Sequence, residues 1–375
     1  MENLKEQLEQ LFQELVKTKQ VKHAVLAVES GDGSFSWAKA EGAAEEGVER
    51  IDPANPFFIA SVTKLFIAAA VLKLYEQGQL SLKDYITRFL PQQMTSGLHR
   101  TKDGTDYSDK ITLAHLLSHT SGLPDYIEIK PEGGNNLFDL VLEEGDRSWR
   151  IEDSINIVIN QGKPLFPPQP LEAKKKKARY SDTNFQLLIA VIEAVSGLPL
   201  DRVFEEMFYK PLNLKNTFHP GSKPLATRPP AVPLWYGDQK LEIPQALRSF
   251  GDLYSTTEDL IRFLRALISG EVFEDPATAG LMSKEWNRLG FLLSPIAPGW
   301  PTEYGYGMMR FQMPRLFTPF QPLPEVIGHT GASGSWLFYC PLYNIYITGT
   351  ASQLLAAAAP FRLVPKLLKL IGKNY

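Results

Sequence analysis

Strand-like segments at both ends of the chain, with helical segments between them, constrain the fold of these 375 residues more than any other feature. Near the start, HAVLAVE and SFSWAKAEG read as two strands joined by the turn Ser30-Gly31-Asp32-Gly33. Near the end, GSWLFYC and NIYITGTAS read as two more. From about 84 to 250 the pattern changes to helical stretches such as ITLAHLLSH, FQLLIAVIEAVSG and PLDRVFEEMFY, separated by long polar, proline-bearing loops. The expectation is an α/β (α+β) protein in which residues 1–83 and 251–375 form one discontinuous α/β domain. Residues 84–250 form a mainly helical insert. Pro167 to Pro170 is the most linker-like piece.

Leu4, Leu8, Leu11, Phe12 and Leu15 mark an amphipathic helix over residues 3–18. STTEDLIRFLRALISG predicts a second, capped by Ser255 or Thr256, and a Leu- and Ala-rich helix closes the chain. Their apolar faces allow the first and last helices to pack together. A formal net charge of -3 leaves no basic face for nucleic acid. The single cysteine, Cys340, lies in an apolar run and reads as a small buried hydrophobe. No run reaches the roughly 18 uncharged apolar residues of a membrane span. The N-terminal stretch lacks the basic start and apolar core of a signal peptide, so a cytoplasmic protein is expected, of unspecified oligomeric state.

The chemistry starts in FFIASVTKLFIAAAVLKLYEQ, an apolar helix with Ser61 in its first turn and Lys64 three residues on. Residues i and i+3 share a helix face, so the two side chains can meet. Serine needs a neighbour to take its proton, and lysine serves only when burial lowers its pKa. A second Ser-x-x-Lys, Ser36 to Lys39, lies in a strand-like stretch where i and i+3 point to opposite faces; it reads as chance. In ARYSDTNFQLL, Tyr180 precedes a helix and is either packing or a proton relay. In VIGHTGASGSWLFYC the small residues Gly331, Ala332 and Ser333 leave room for a substrate backbone. The Ala332 N–H can then meet a developing oxyanion there. His115 and His119 have a spacing that zinc tolerates, but no third ligand is evident, and packing is the simpler reading. There is no Gly-x-Ser-x-Gly elbow. Lys174 to Lys177 reads as a solvated loop, or as an attractor of anionic substrates beside the pocket.

Together, Ser-x-x-Lys, Tyr-Ser-Asp about 115 residues later and His-Thr-Gly before a strand resemble the serine β-lactamase and D,D-peptidase superfamily. The likeness is greatest to its class C-like branch of D-Ala-D-Ala carboxypeptidases, D-aminopeptidases and family VIII esterases. ITLAHLLSHTSGLPDY, FYKPLNLKNTF, STTEDLIRFLRAL and YGYGM extend the likeness from about Ala24 to Ser352. The resemblance implies an antiparallel sheet flanked by helices and a β-lactamase/transpeptidase-like fold. It implies that Ser61 is acylated, that Lys64 and Tyr180 share the proton transfers, and that the N–H groups of Ser61 and Ala332 form the oxyanion hole. Asp182, His329, Thr330 and Gly331 would meet the substrate, a small ester or amide, with neither metal nor organic cofactor.

Two departures matter. The branch has asparagine where this chain has Asp182, whose charge favours a protonated Lys64 and disfavours a Tyr180 phenolate. An alkaline-shifted activity is expected. An alternative alignment makes Ser181 the relay instead. His329 stands where β-lactamases have lysine, which supplies less positive charge for a substrate carboxylate. Short-chain esters are therefore the first expectation, D-aminoacyl peptides or amides the second and β-lactams the third. A non-catalytic sensor or scaffold is the reading from another class.

Overall fold

The computed structural model describes residues 2–18, 20–42, 50–131, 133–222, 228–289, 302–313, 315 and 322–374. Its centre is an eight-stranded antiparallel sheet. The strands are β1 (His23–Ser30), β2 (Ser36–Gly42), β3 (Asn287–Arg288), β4 (Glu303–Tyr304), β5 (Met309–Phe311), β6 (Val326–Gly331), β7 (Ser335–Cys340) and β8 (Ile345–Thr350). Their order across the sheet is β2-β1-β8-β7-β6-β5-β4-β3. The first strand therefore pairs with the last, Val25 opposite Thr350 and Ser30 opposite Ile345. This closure brings both ends of the chain into one sheet. The fold is the mixed α/β class expected.

Five helices matter most for the site: α1 (Glu2–Val16), α2 (Lys64–Glu76), α3 (Asp182–Ser196), α4 (Thr257–Ser269) and α5 (Ala359–Asn374). Strand pairing shows how they flank the sheet. Val28 sits opposite Trp37, and Glu29 opposite Tyr346, so the two pairs lie on opposite faces. Phe12 of α1 meets Trp37 edge-on on the first face. Arg265 of α4 pairs with Glu29 and lies over the Tyr346 ring on the second. The first and last helices pack together, as their apolar faces suggest, with Lys366 bonded to Glu14 at 2.7 Å across the rim.

Thr256 is the N-cap of α4, its hydroxyl accepting from the Asp259 N–H. Helix α2 is apolar all round because it is buried all round: every residue from Lys64 to Leu72 is buried. Phe66 stacks on Phe263 of α4 at 3.5 Å between ring centroids, and α3 packs on another side. The segment read as one helix, PLDRVFEEMFY, breaks into a short α-helix, Leu200–Phe204, and a π-turn, Glu205–Tyr209. No helix among the described residues is long and apolar enough to cross a membrane.

Candidate active site

Ser61 does not begin an α-helix. It lies in a one-turn 3-10 helix, Ala60–Thr63, that runs directly into Lys64, the first residue of α2. In 3-10 geometry residues i and i+3 eclipse one another, which aligns this pair better than an α-helix does. The Lys64 ammonium donates to Ser61 Oγ at 3.0 Å. Ala60, immediately before, has φ +46°, a conformation that costs a non-glycine residue and recurs next to catalytic side chains.

Lys64 is 3% exposed and bonded to the carboxylate of Asp182, which is 25% exposed. Burial alone lowers the pKa of this ammonium, but the charges of Asp182 and Asp252 outweigh it and the net shift is upward. Tyr180 lies beside the pair: Ser61 acts to lower its phenol's pKa, and Lys64 Nζ lies 5.3 Å from its ring centre. Burial, then Asp182, push the Tyr180 phenol well above its ordinary value. Ser61, Lys64, Tyr180 and Asp182 thus form one constellation. Ser181, the alternative relay, is fully buried and donates its hydroxyl to Pro124 O at 3.0 Å.

The turn between β6 and β7 is fastened beside the nucleophile. Ser333 Oγ donates to Phe58 O and Ser335 Oγ to Ile59 O, both at 2.7 Å. Gly331 leaves no room for a side chain: a Cβ would lie 2.4 Å from Ile59 O and 2.3 Å from Ser335 Oγ. Ala332 follows at the exposed tip. Gly331→Ala should therefore push this turn off the Ser61 loop. We expect a stability loss of about 1–3 kcal/mol, read as a lower Tm, with a several-fold fall in kcat. An unchanged Tm and kcat would mean the turn has slack that the packing denies.

His329 departs from expectation. Its imidazole is 1% exposed and does not present itself to the receiving edge. Nε2 takes the Tyr304 hydroxyl at 2.9 Å, and Nδ1 donates to Thr330 O at 2.6 Å. Burial, and Lys64 after it, hold its pKa at about 3, so the ring is neutral. The cause is register: His329 pairs with Leu337, Leu337 with Thr348 and Thr348 with Ala27. That is the face of Glu29 and Arg265, where the sheet meets the helices. Thr330 is half-buried, its hydroxyl 4.0 Å from Met309 Sδ.

Three neighbours are not evident from sequence. Asp125 accepts the Asp182 N–H at 2.9 Å, and its carboxyl is raised by burial and by Asp182. Asp252, behind Lys64, is pushed by burial up to about 7. His119, set aside as packing, lies 4.4 Å from Tyr180 and 4.5 Å from Tyr304 between ring centroids. Asn184 Nδ2 donates to its Nδ1 at 2.9 Å. His115 instead caps its own helix and bonds Gln169 O at 2.6 Å, so the two histidines serve separate places. Among the described residues no group could hold a metal ion. The pairing of His119 with a tyrosine 61 positions away has no local signal; the only hint is the HLLSHTSG stretch itself.

In the lysine run, Lys176 is docked on Glu285 at 2.7 Å with its side chain 7% exposed. It is not a free attractor. Lys174, Lys175 and Lys177 stay exposed.

The structure thus joins a mixed sheet-and-helix fold to a Ser61–Lys64 pair held at 3.0 Å. The β-lactamase family model matches residues 8–361, and the chain belongs to that family of serine hydrolases. It is 26% identical over 304 residues to the D-alanyl-D-alanine-carboxypeptidase/endopeptidase AmpH of Escherichia coli, covering 79% of this chain and 71% of that protein. It is 25% identical over 332 residues to esterase EstB of Burkholderia gladioli, covering 81% and 79%. In fold it is similar to the D-amino acid amidase of Ochrobactrum anthropi SV3 solved with D-phenylalanine, with TM-score 0.76, 19% identity and full coverage of both chains. It is also similar to EstCE1, a hydrolase with promiscuous acyltransferase activity, with TM-score 0.73, 23% identity and coverage of 99% and 98%.

Proposed function

We propose that the protein is a carboxylesterase on short acyl esters, working through an acyl-enzyme on Ser61. The observation that carries this is Ser61 Oγ held at 3.0 Å by the Lys64 ammonium, with the Tyr180 ring 5.3 Å from that ammonium. In the form in which Lys64 is the free amine, Ser61 Oγ attacks the ester carbonyl carbon while its proton passes to Lys64, directly or through the Tyr180 hydroxyl. The same proton then leaves on the departing alcohol, and the acyl group stays on Ser61. Water attacks the acyl carbon, gives its proton back through the pair, and releases the acid. The N–H groups of Ser61 and Ala332 face the oxyanion. The helical segment 84–250, as an insert in the 1–83/251–375 domain, supplies Tyr180 and Asp182 from across the cleft.

Esters come first for two reasons. A lysine that Asp182 keeps protonated is a weak base, and an ester's alkoxide leaves with less proton assistance than an amide's nitrogen. The neutral, buried His329 offers no cation to the carboxylate of a β-lactam. A second reading, D-aminoacyl amides, rests on Asp182, whose partly exposed carboxylate would meet a substrate ammonium. Steady-state kinetics on p-nitrophenyl butyrate, D-phenylalanine amide and a chromogenic cephalosporin separate the readings. We expect kcat/KM to fall in that order. A cephalosporin turned over faster than the ester would overturn the proposal.

A further inference from the structure

Helix α3 begins at Asp182 without a cap of its own. Its N-cap residue, Ser181, makes no side-chain bond to the first turn and donates its hydroxyl to Pro124 O at 3.0 Å instead. The open N–H groups at a helix start need acceptors. Here the loop 119–125 supplies them from outside the helix. Asp125 accepts the Asp182 N–H at 2.9 Å, and His119 Nδ1 accepts the Ser181 N–H at 3.3 Å. His119 O accepts the Arg179 N–H at 3.0 Å, so this one residue brackets Tyr180 on both sides.

Rigid peptide planes carry these bonds into the site. The Ser181 N–H belongs to the peptide that follows Tyr180, so its direction fixes ψ of Tyr180. Tyr180 and Asp182, on either side of Ser181, are the two residues that lie against Lys64. Holding Ser181 therefore holds both.

The ring of His119 suits this task in one form only. Its Nδ1 also receives the Asn184 amide N–H at 2.9 Å, since the Ser121 hydroxyl donates to Asn184 Oδ1 at 2.6 Å. Two donors on Nδ1 place the ring proton on Nε2. A protonated imidazole would carry N–H groups on both nitrogens and lose both bonds. Burial, then Lys64 and His329, hold the pKa of the ring well below its ordinary value, which keeps Nδ1 open. Nε2 has no hydrogen-bond partner. Filling this fully buried space needs no nitrogen, and an apolar ring would leave none bare. The backbone of His119 also holds φ +56°, a sparsely populated conformation that Asn213 and Asn344 share. What the imidazole adds over an apolar ring is Nδ1.

We propose that His119 is a positioning residue for the hydrolysis, its Nδ1 holding the Tyr180–Asp182 segment in register with Ser61 and Lys64. The proposal rests on the reading of Ser61 as the nucleophile. Two variants of the full chain separate the acceptor from the ring. His119→Phe keeps a ring against Tyr180 and Tyr304 and removes the acceptor; because Nε2 is unpartnered, it removes no other side-chain bond. His119→Asn loses the ring, keeps an oxygen near the place of Nδ1, and takes a positive φ readily. With p-nitrophenyl butyrate, well below each variant's Tm, kcat of His119→Phe should fall about tenfold or more, with KM within about twofold. His119→Asn should keep kcat within about threefold. Amide hydrogen exchange over residues 179–184 should quicken in His119→Phe and not in His119→Asn. A role in packing alone predicts the reverse order, and that order, or equal losses in both variants, would overturn the proposal. Should His119→Phe fail to fold, His119→Asn beside His119→Ala decides, since neither has the ring and only the first has the acceptor; equal kcat in those two would overturn it. A wild type with neither turnover nor an acyl group on Ser61 would sink the hydrolase reading instead, and the exchange data would still show whether His119 anchors the segment.

Discussion

Ser61→Ala will lower kcat for p-nitrophenyl esters by roughly 10⁴-fold or more, the scale seen when a serine nucleophile is removed. The fold should survive, because the Ser61 hydroxyl supports nothing else: Lys64 keeps Asp182, and the Ser333 and Ser335 bonds end on Phe58 and Ile59. An unchanged Tm with lost turnover assigns the nucleophile. Lost turnover with a large fall in Tm would assign only a structural role. Turnover kept within tenfold would remove Ser61 from the chemistry.

The second large effect concerns Asp182. Burial lowers the Lys64 pKa, yet Asp182 and Asp252 raise it further than burial lowers it. The base form of Lys64 is present only above its folded pKa, so the rate should climb with pH through an alkaline limb. Asp182→Asn removes the larger of the two carboxylate influences and leaves burial in place. The limb should move to lower pH by about one unit or more, which is about a tenfold gain in rate on its acidic side for each unit. The Tyr180 phenol, raised by burial and then by Asp182, moves the same way. Asparagine still accepts a hydrogen bond from the lysine, so the geometry is kept while the charge goes. A pH–rate profile that does not move would mean that neither Lys64 nor Tyr180 is the titrating base.

Local pattern made much of the fold legible. The end strands, the amphipathic first helix and the Thr256 cap are each written in a few consecutive residues. The Ser61–Lys64 pair was legible for the same reason, since three positions in one turn fix its geometry. What stayed hidden depends on distant contacts. The direction of the His329 side chain follows from a register that runs through four strands to Ala27. Asp252 acts on Lys64 from a loop 188 positions away, and Asp125 reaches Asp182 from another loop 57 positions away, where no periodicity marks them. His119 read only as packing because spacing cannot show that its ring would turn toward Tyr180. The break into a π-turn at Glu205–Tyr209 likewise lies beneath a continuous helical pattern.

The central claim is a covalent acyl group on Ser61. The most direct measurement is rapid acid quench of enzyme turning over p-nitrophenyl butyrate, followed by intact mass and peptide mapping. The account predicts one butyryl group per chain, carried on the peptide that contains Ser61 and absent from Ser61→Ala protein. Turnover with the acyl group on another residue, or no adduct and no turnover at all, would contradict it, and the second result would favour a sensor or scaffold built on the same fold.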